Sequence, residues 1–463
     1  MLHSHARICA ALGLAVSTAP LGCGGKDSGA VDAAPMVDAR AGDAPGADAL
    51  EPDAPRNIDI TIKTFPEGLP TYNGRTANAP LVAFQDGDGP WTALTGTGGV
   101  YHATATGQRY GVAVGCAVDF QTGISLYYQS TGDTREVLAD GCPTLVAMVH
   151  ASVEVQGLED DQKGEVWIGG AVGLATTGNP AEIDVPKGTV DLFVRSYVTE
   201  AGTGLHIPVK LYRGPTLDLQ ADQTLKVDVN TLGQLPESHE LSLTGLKPAG
   251  SMTETIQVHS SYATPSSQVQ WPLLTKNFGT MKPDSYVTIG AAGREPDDIS
   301  NLTATTDGTT TDGRTYRRYV RFAMKNPVAP TLGLPPIWTA TAPTVQRAAV
   351  SRATVTLPIT PETLGISDYH ATLSTNDATS LPHRLTLFVR PGWAVGQPSV
   401  TITTPDLSTL SGWSASMALV SDAAVDWTLE WDDRNKPYES PPVDGRRILG
   451  SSILGQIPAA LSR

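Results

Sequence analysis

Charge, cysteine and the signatures of common enzymes are all scarce in this chain. Charged residues make up 17% of it, 32 basic against 47 acidic for a net charge of −15. That balance leaves little Lys and Arg to gather on one face, which argues against nucleic acid and against adhesion to an anionic membrane surface. No apolar run approaches the length a spanning helix needs. There is no G-x-S-x-G nucleophile elbow, and "GSSILG" at Gly450 to Gly455 has the wrong spacing for one. There is no H-E-x-x-H, because "HEL" at His239 to Leu241 lacks its second histidine, and neither a P-loop nor G-x-G-x-x-G is present. The nine histidines are scattered singly, which supplies no ligand pair a helical turn apart. No catalytic residue, metal ligand or cofactor is therefore expected.

Blocks of strong helix formers are missing as well, and 46 glycines and 35 prolines describe a turn-rich chain. What the sequence has instead, from Asn57 onward, is alternation with a period of two. In "NIDITIKTF" Ile58, Ile60 and Ile62 share one face; in "LHIPVKLYR" Ile207, Val209 and Leu211 do. "TLKVDVN", "HRLTLFV" and "SVTITT" follow suit, separated by turn clusters such as "QDGDGP", "STGD", "TTDG" and "RPGW". The pattern predicts an all-β chain of antiparallel β-sandwich modules in tandem. Soft boundaries near His150, Pro236 and Pro335 give modules at 57–149, 150–235, 236–335 and 336–463. "RRILGSSILGQIPAALSR" at the C-terminus is read as a last strand, because Pro458 and its glycines break an amphipathic helix.

The N-terminus is of another kind. Ile8 to Val16, after Arg7, is an apolar run of signal-peptide length, so residues 1–22 are read as a signal peptide that takes Cys9 with it. "PLGC" at Pro20 to Cys23 resembles the bacterial lipobox, with Pro20 and Leu21 departing from its usual residues. The resemblance implies a diacylglyceryl group on Cys23; ordinary signal-peptidase cleavage nearby is the competing reading. In residues 24–56 Asp27, Asp32, Asp38, Asp43, Asp48 and Asp53 recur among Ala, Gly and Pro. Such a segment buries too little apolar area to offset the entropy of ordering, so 23–56 is expected to be a lipidated cysteine with a disordered tether spanning about 30 Å or more. A lipobox followed by an Asp/Ala/Pro spacer looks like the start of myxobacterial-type envelope lipoproteins. Gly24 and Gly25 after the cysteine, by resemblance to lipoprotein sorting, imply the outer membrane. Two or three acyl chains suffice as an anchor.

"EIDVPKGTVDLFVRSYV" resembles a V-P-x-G-x-Y/V-D-L hairpin of immunoglobulin-like and carboxypeptidase-regulatory-like surface modules, which implies a structural element without catalytic residues. Cys116 shares strand parity with Val112 and Val114, and with Cys9 assigned to the leader and Cys23 to lipidation, Cys142 is its one remaining partner. In an oxidising compartment a Cys116–Cys142 disulfide is expected; two buried thiols or a metal pair are the alternatives, and the absence of CxxC spacing disfavours zinc. Asp86-Gly87-Asp88-Gly89 is read as a hairpin turn in preference to part of a calcium loop. "VDWTLEWDDRNKPYE" is the richest polar-aromatic stretch. Trp427, Leu429 and Trp431 fall on one strand face, Asp426, Glu430 and Asp432 on the other. These are either core tryptophans under a solvated face or a sugar-binding platform with carboxylate acceptors, exposure of the indoles being the discriminator. "PGW" at Trp393 and "SGW" at Trp413 are read as further core aromatics.

The expectation is a membrane-anchored, non-enzymatic scaffold or binding surface with a protein or glycan partner. The alternative is a carbohydrate-binding or glycan-hydrolysing protein working through Trp427 to Asp433.

Overall fold

The computed structural model describes residues 57–64, 75–76, 79–118, 121–139, 142–143, 147–246, 254–265, 270–281, 283–360, 368–377, 381–433 and 444–459. Cys23 and the segments expected to be leader and tether lie outside them, as do residues 434–439 of the polar-aromatic stretch. Strands dominate the described residues, with one four-residue helix, Val229–Leu232, and a few single 3-10 turns. No helix among the described residues is long and apolar enough to cross a membrane.

The alternating segments form strands as their period dictates. Ile60 and Ile62 are wholly buried on the strand Ile58–Lys63. "HRLTLFV" lies in Pro382–Val389 with Leu385, Leu387 and Val389 inward, and the C-terminal stretch is the strand Arg447–Ile457. Two expectations need correction. On His206–Leu219 the buried residues are Pro208, Leu211, Gly214 and Leu219, while Ile207 is exposed. A register shift opposite Ser196 and Tyr197 inserts one extra residue there and breaks the parity with Val209. The "VPKG" segment is not a hairpin either. Ala181–Pro186 pairs with Met148–Gln156, whereas Gly188–Thr199 pairs with Gln162–Ile168 and His206–Leu219. Only Lys187 lies between them, and Gly188, at φ +133°, lets the chain step from one sheet to the other.

These two sheets, of three and four strands, enclose a core that includes Val153, Val166, Ile168, Ile183, Val185 and Val194. The other three segments share one sheet of twelve strands. Its order runs from Trp271–Gly279 through Thr255–Ala263, Ile299–Thr309 and Thr315–Met324 to Arg447–Ile457, Val425–Asp432, Asp368–Asn376 and Pro382–Val389, and ends with Gln121–Ser130, Arg109–Val118, Leu81–Asp86 and Thr92–Ala93. Its pairings are antiparallel except between Pro382–Val389 and Gln121–Ser130, where His383 to Val389 lie parallel to Thr122 to Tyr128. The segments are thus joined by more than their linkers, since strands that would be edges of separate sandwiches pair with each other. Of the boundaries expected from sequence, the one at 149/150 falls inside Met148–Gln156.

At one end of the long sheet both faces are covered. Val82, Phe84, Val112 and Val114 pack against Ile60, Ile62 and Tyr101 of a three-stranded sheet. On the opposite face Leu81, Ala83, Leu126 and Tyr128 join a core shared with Val355, Leu357, Val400 and Ile402 of a second small sheet. Burial on both sides accounts for the unbroken apolar run Leu81 to Phe84.

The Cys116–Cys142 disulfide is formed, with the Cα atoms 5.4 Å apart, and ties Arg109–Val118 to a strand 26 residues on. A loop of that length contributes about 3.5 kcal/mol on the chain-entropy estimate. Replacing both cysteines by serine is expected to lower stability by about that amount, read as a fall in the urea midpoint, with no further fall on adding dithiothreitol.

Candidate functional site

The strand Val425–Asp432 turns its tryptophans inward. Trp431 is fully buried and Trp427 retains 4% exposure, both within the core that includes Leu373, Leu387 and Leu429. Gly455 on the next strand leaves the space that the Trp427 ring occupies; a Cβ there would lie 2.7 Å from it. Neither indole presents a face to a ligand, so of the two readings of Trp427 and Trp431 the core one holds and the sugar platform does not form. On the other face the Tyr319 hydroxyl donates to Glu430 Oε1 at 2.9 Å, and Asp432 is buried.

Asp432 belongs instead to a cluster with Asp368 and His370 on the neighbouring strand, their ligand atoms all within 4.8 Å of one another. His370 Nε2 lies 3.9 Å from Asp432 Oδ2, and Arg390 Nε lies 2.9 Å from Asp368 Oδ1. Two carboxylates and an imidazole are donors a divalent cation accepts. The guanidinium of Arg390 already neutralises Asp368, however, and the arrangement is that of a buried ion-pair network. Burial, with Asp432 adjacent, holds the Asp433 carboxyl above its usual range.

A different group of residues lines an open cavity of about 570 Å³. Five come from the first segment, Gln85, Asp88, Trp91, Arg109 and Tyr128. The rest come from the last, among them Arg352, Trp393, Gln397, Thr403 and Asp406. The parallel junction of Pro382–Val389 with Gln121–Ser130 brings the two groups together.

Local chemistry places each side chain. The Asp86 to Gly89 segment is the hairpin turn expected from sequence. Gly87 adopts φ +55°, the Gly89 N–H donates to Asp86 O at 2.9 Å, and Asp86 Oδ1 accepts the Thr106 N–H at 3.0 Å. Gln85 Nε2 donates to Gly89 O at 2.8 Å and stiffens the turn that carries Trp91. The Trp91 ring rests on Gly111, where a Cβ would lie 2.9 Å from Cη2 and 3.1 Å from Cζ2. It meets Tyr128 edge-on at 6.4 Å between centroids, and Tyr128 meets Trp393 at 5.0 Å and 66°. Trp393 stands on the 3-10 turn Pro391–Ala394, set by the Arg390 N–H donating to Tyr128 O and the Trp393 N–H to Arg390 O, both at 3.0 Å. Arg109 places its guanidinium 5.6 Å from the Trp393 ring centroid. Across the cavity Arg352 Nε donates to Thr404 O at 2.8 Å. Hydrogen bonds from Ser408 hold the Asp406 carboxyl below its usual range, with Arg352 adding to the effect. Burial raises Tyr128, which keeps its hydroxyl neutral.

Sequence reasoning missed this site. It took Trp393 as core, where the structure places it at 8% exposure, and did not single out Trp91. The available signal was an aromatic directly after turn residues, "GDGPW" and "RPGW", where no strand alternation dictates burial.

A second cavity, of about 420 Å³, opens beside Glu154, Gln156 and the Thr176 to Pro180 turn and contains no aromatic side chain.

No family model matches the chain, and no curated protein matches it. Among solved structures, a streptococcal ancillary pilin aligns with 60% of this chain and 98% of its own length, at 8% identity and a TM-score of 0.13. A likeness of that size carries no argument about fold or function.

Proposed function

We propose that this protein is a lipid-anchored component of the bacterial cell envelope. It is held to the outer membrane through Cys23 and serves as a non-enzymatic scaffold or binding surface for a protein or glycan partner. The observation that carries the reading is the Cys116–Cys142 disulfide, which points to an oxidising, extracytoplasmic compartment. The lipobox-like "PLGC" and the Asp-spaced segment after it agree with that side of a membrane. Binding fits the all-β framework, which offers a broad rigid surface and an open cavity between two segments. Hydrolysis through the Trp427 to Asp433 region loses its support with the burial of both indoles.

Mass analysis of the N-terminal peptide from membrane-fraction protein tests the anchor. The wild-type chain is expected to begin at Cys23 with the cysteine acylated, and Cys23→Ala is expected to shift the protein to the soluble fraction. A soluble, unacylated wild-type chain beginning elsewhere would overturn the reading.

A further inference from the structure

We propose that the cavity between the Asp86 to Gly89 hairpin and the Pro391–Ala394 turn is a saccharide site that takes a neutral pyranose ring. The inference rests on the reading of the protein as a binding component and names the site and ligand class of that binding.

Three features of the cavity lead to this class. Its charges balance, Arg109 and Arg352 against Asp88 and Asp406, so a phosphate, a nucleotide or a polyanionic chain finds no net attraction there. Its volume, about 570 Å³, falls within the roughly 300–1,000 Å³ of small-ligand sites. Its lining pairs aromatic rings with planar polar groups. Trp91 keeps part of its ring exposed and is backed edge-on by Tyr128, which offers an apolar platform to the C–H face of a pyranose. Carboxylates, guanidinium groups and the Gln397 amide accept or donate paired hydrogen bonds of the kind vicinal hydroxyls make. A lipid or another apolar ligand would strip water from these groups without replacing its hydrogen bonds.

Trp91 carries the binding and Gly111 positions it. Because Gly111 has no side chain, the benzo edge of the indole sits against Arg109–Val118; a Cβ would reach Cη2 at 2.9 Å and push the ring off its seat. The hairpin is held by its own backbone bonds and by Thr106, so losing the ring leaves the turn in place.

The test is isothermal titration of the purified full-length chain with neutral gluco-, galacto-, manno- and N-acetylglucosamine oligosaccharides. Matching uronates and an unstructured peptide serve as comparison probes. At least one neutral oligosaccharide is expected to bind and to quench tryptophan fluorescence. Trp91→Ala is expected to weaken it tenfold or more, and Gly111→Ala, which keeps the indole and displaces it, to weaken it comparably. Trp431→Phe, in the core, is expected to leave affinity within twofold. Unchanged thermal transitions in the first two variants exclude loss of fold. No binding by any neutral probe overturns the proposal, as does binding of the uronates alone. Binding that survives Trp91→Ala unchanged also overturns it, and so does binding of the peptide alone, which would point to Ser399–Thr403, an edge strand among the described residues. An acylated, membrane-held chain that binds no saccharide leaves the envelope reading standing without this site. A saccharide-binding chain that lacks the anchor does the reverse.

Discussion

Replacing Trp431 by alanine is expected to lower the free energy of unfolding by about 3–5 kcal/mol, the range for emptying a fully buried tryptophan site. The side chain is completely enclosed, and its strand neighbours are Tyr369 on one side and Ser451 on the other. Those neighbours cannot close over the gap. Tyr369 is itself 1% exposed, and the Ser451 hydroxyl is fixed by the Trp338 N–H donating to it at 3.2 Å. A residual cavity therefore adds to the lost transfer free energy. Trp431 Nε1 is buried without a hydrogen-bond partner among the described residues, so the wild-type residue already bears the cost of one unsatisfied donor. Trp431→Phe removes that donor along with part of the ring, and its loss is expected to be less than half that of alanine. Equilibrium urea unfolding of the two variants measures both. A Trp431→Ala midpoint equal to wild type would show that the indole does not contribute to the core in this way.

The strand pattern was legible because alternation reports burial on one face directly. Ile60 and Ile62, or Leu385, Leu387 and Val389, could be assigned to a core without knowing which other strand they met. Trp427 and Trp431 were assigned to one face by the same rule, but the rule does not say whether that face is core or binding platform. The disulfide was legible from parity and elimination. Pairing between segments was not legible. Nothing local in "HRLTLFV" specifies that it lies parallel to Thr122 to Tyr128, because the pairing is made of backbone groups that every residue has. The candidate site was hidden for that same reason, since Trp393 meets Tyr128 and Arg109 only once that parallel junction has formed. Where a bulge intervened, at Val209, even the local rule failed, as one extra residue exchanges the two faces.

Arg318→Leu is expected to cost about 3–5 kcal/mol, because it removes the buried cation that donates to a buried carboxylate. Arg318 and Glu254 are 3% and 7% exposed, and Arg318 Nη2 donates to Glu254 Oε1. The Tyr316 hydroxyl donates to the same oxygen at 2.9 Å; burial, with Glu254 beside it, pushes that phenol up to about 12, so it stays a donor at neutral pH. The second arm of the guanidinium donates to Gly245 O at 3.0 Å and Pro335 O at 2.8 Å. One side chain thus ties two loops to the strand Thr315–Met324, which pairs with Arg447–Ile457 and so joins the third segment to the last. Leucine fills some of the volume and satisfies none of these acceptors. The double variant Arg318→Leu with Glu254→Leu removes the carboxylate along with its cation, and it is expected to recover part of the loss despite carrying more substitutions. Arg318→Lys keeps the charge but not the fork, so it is expected to fall between wild type and Arg318→Leu. Urea midpoints of the three variants at neutral pH decide the matter. A double variant less stable than Arg318→Leu alone would mean that the loops, and not the buried carboxylate, dominate the cost.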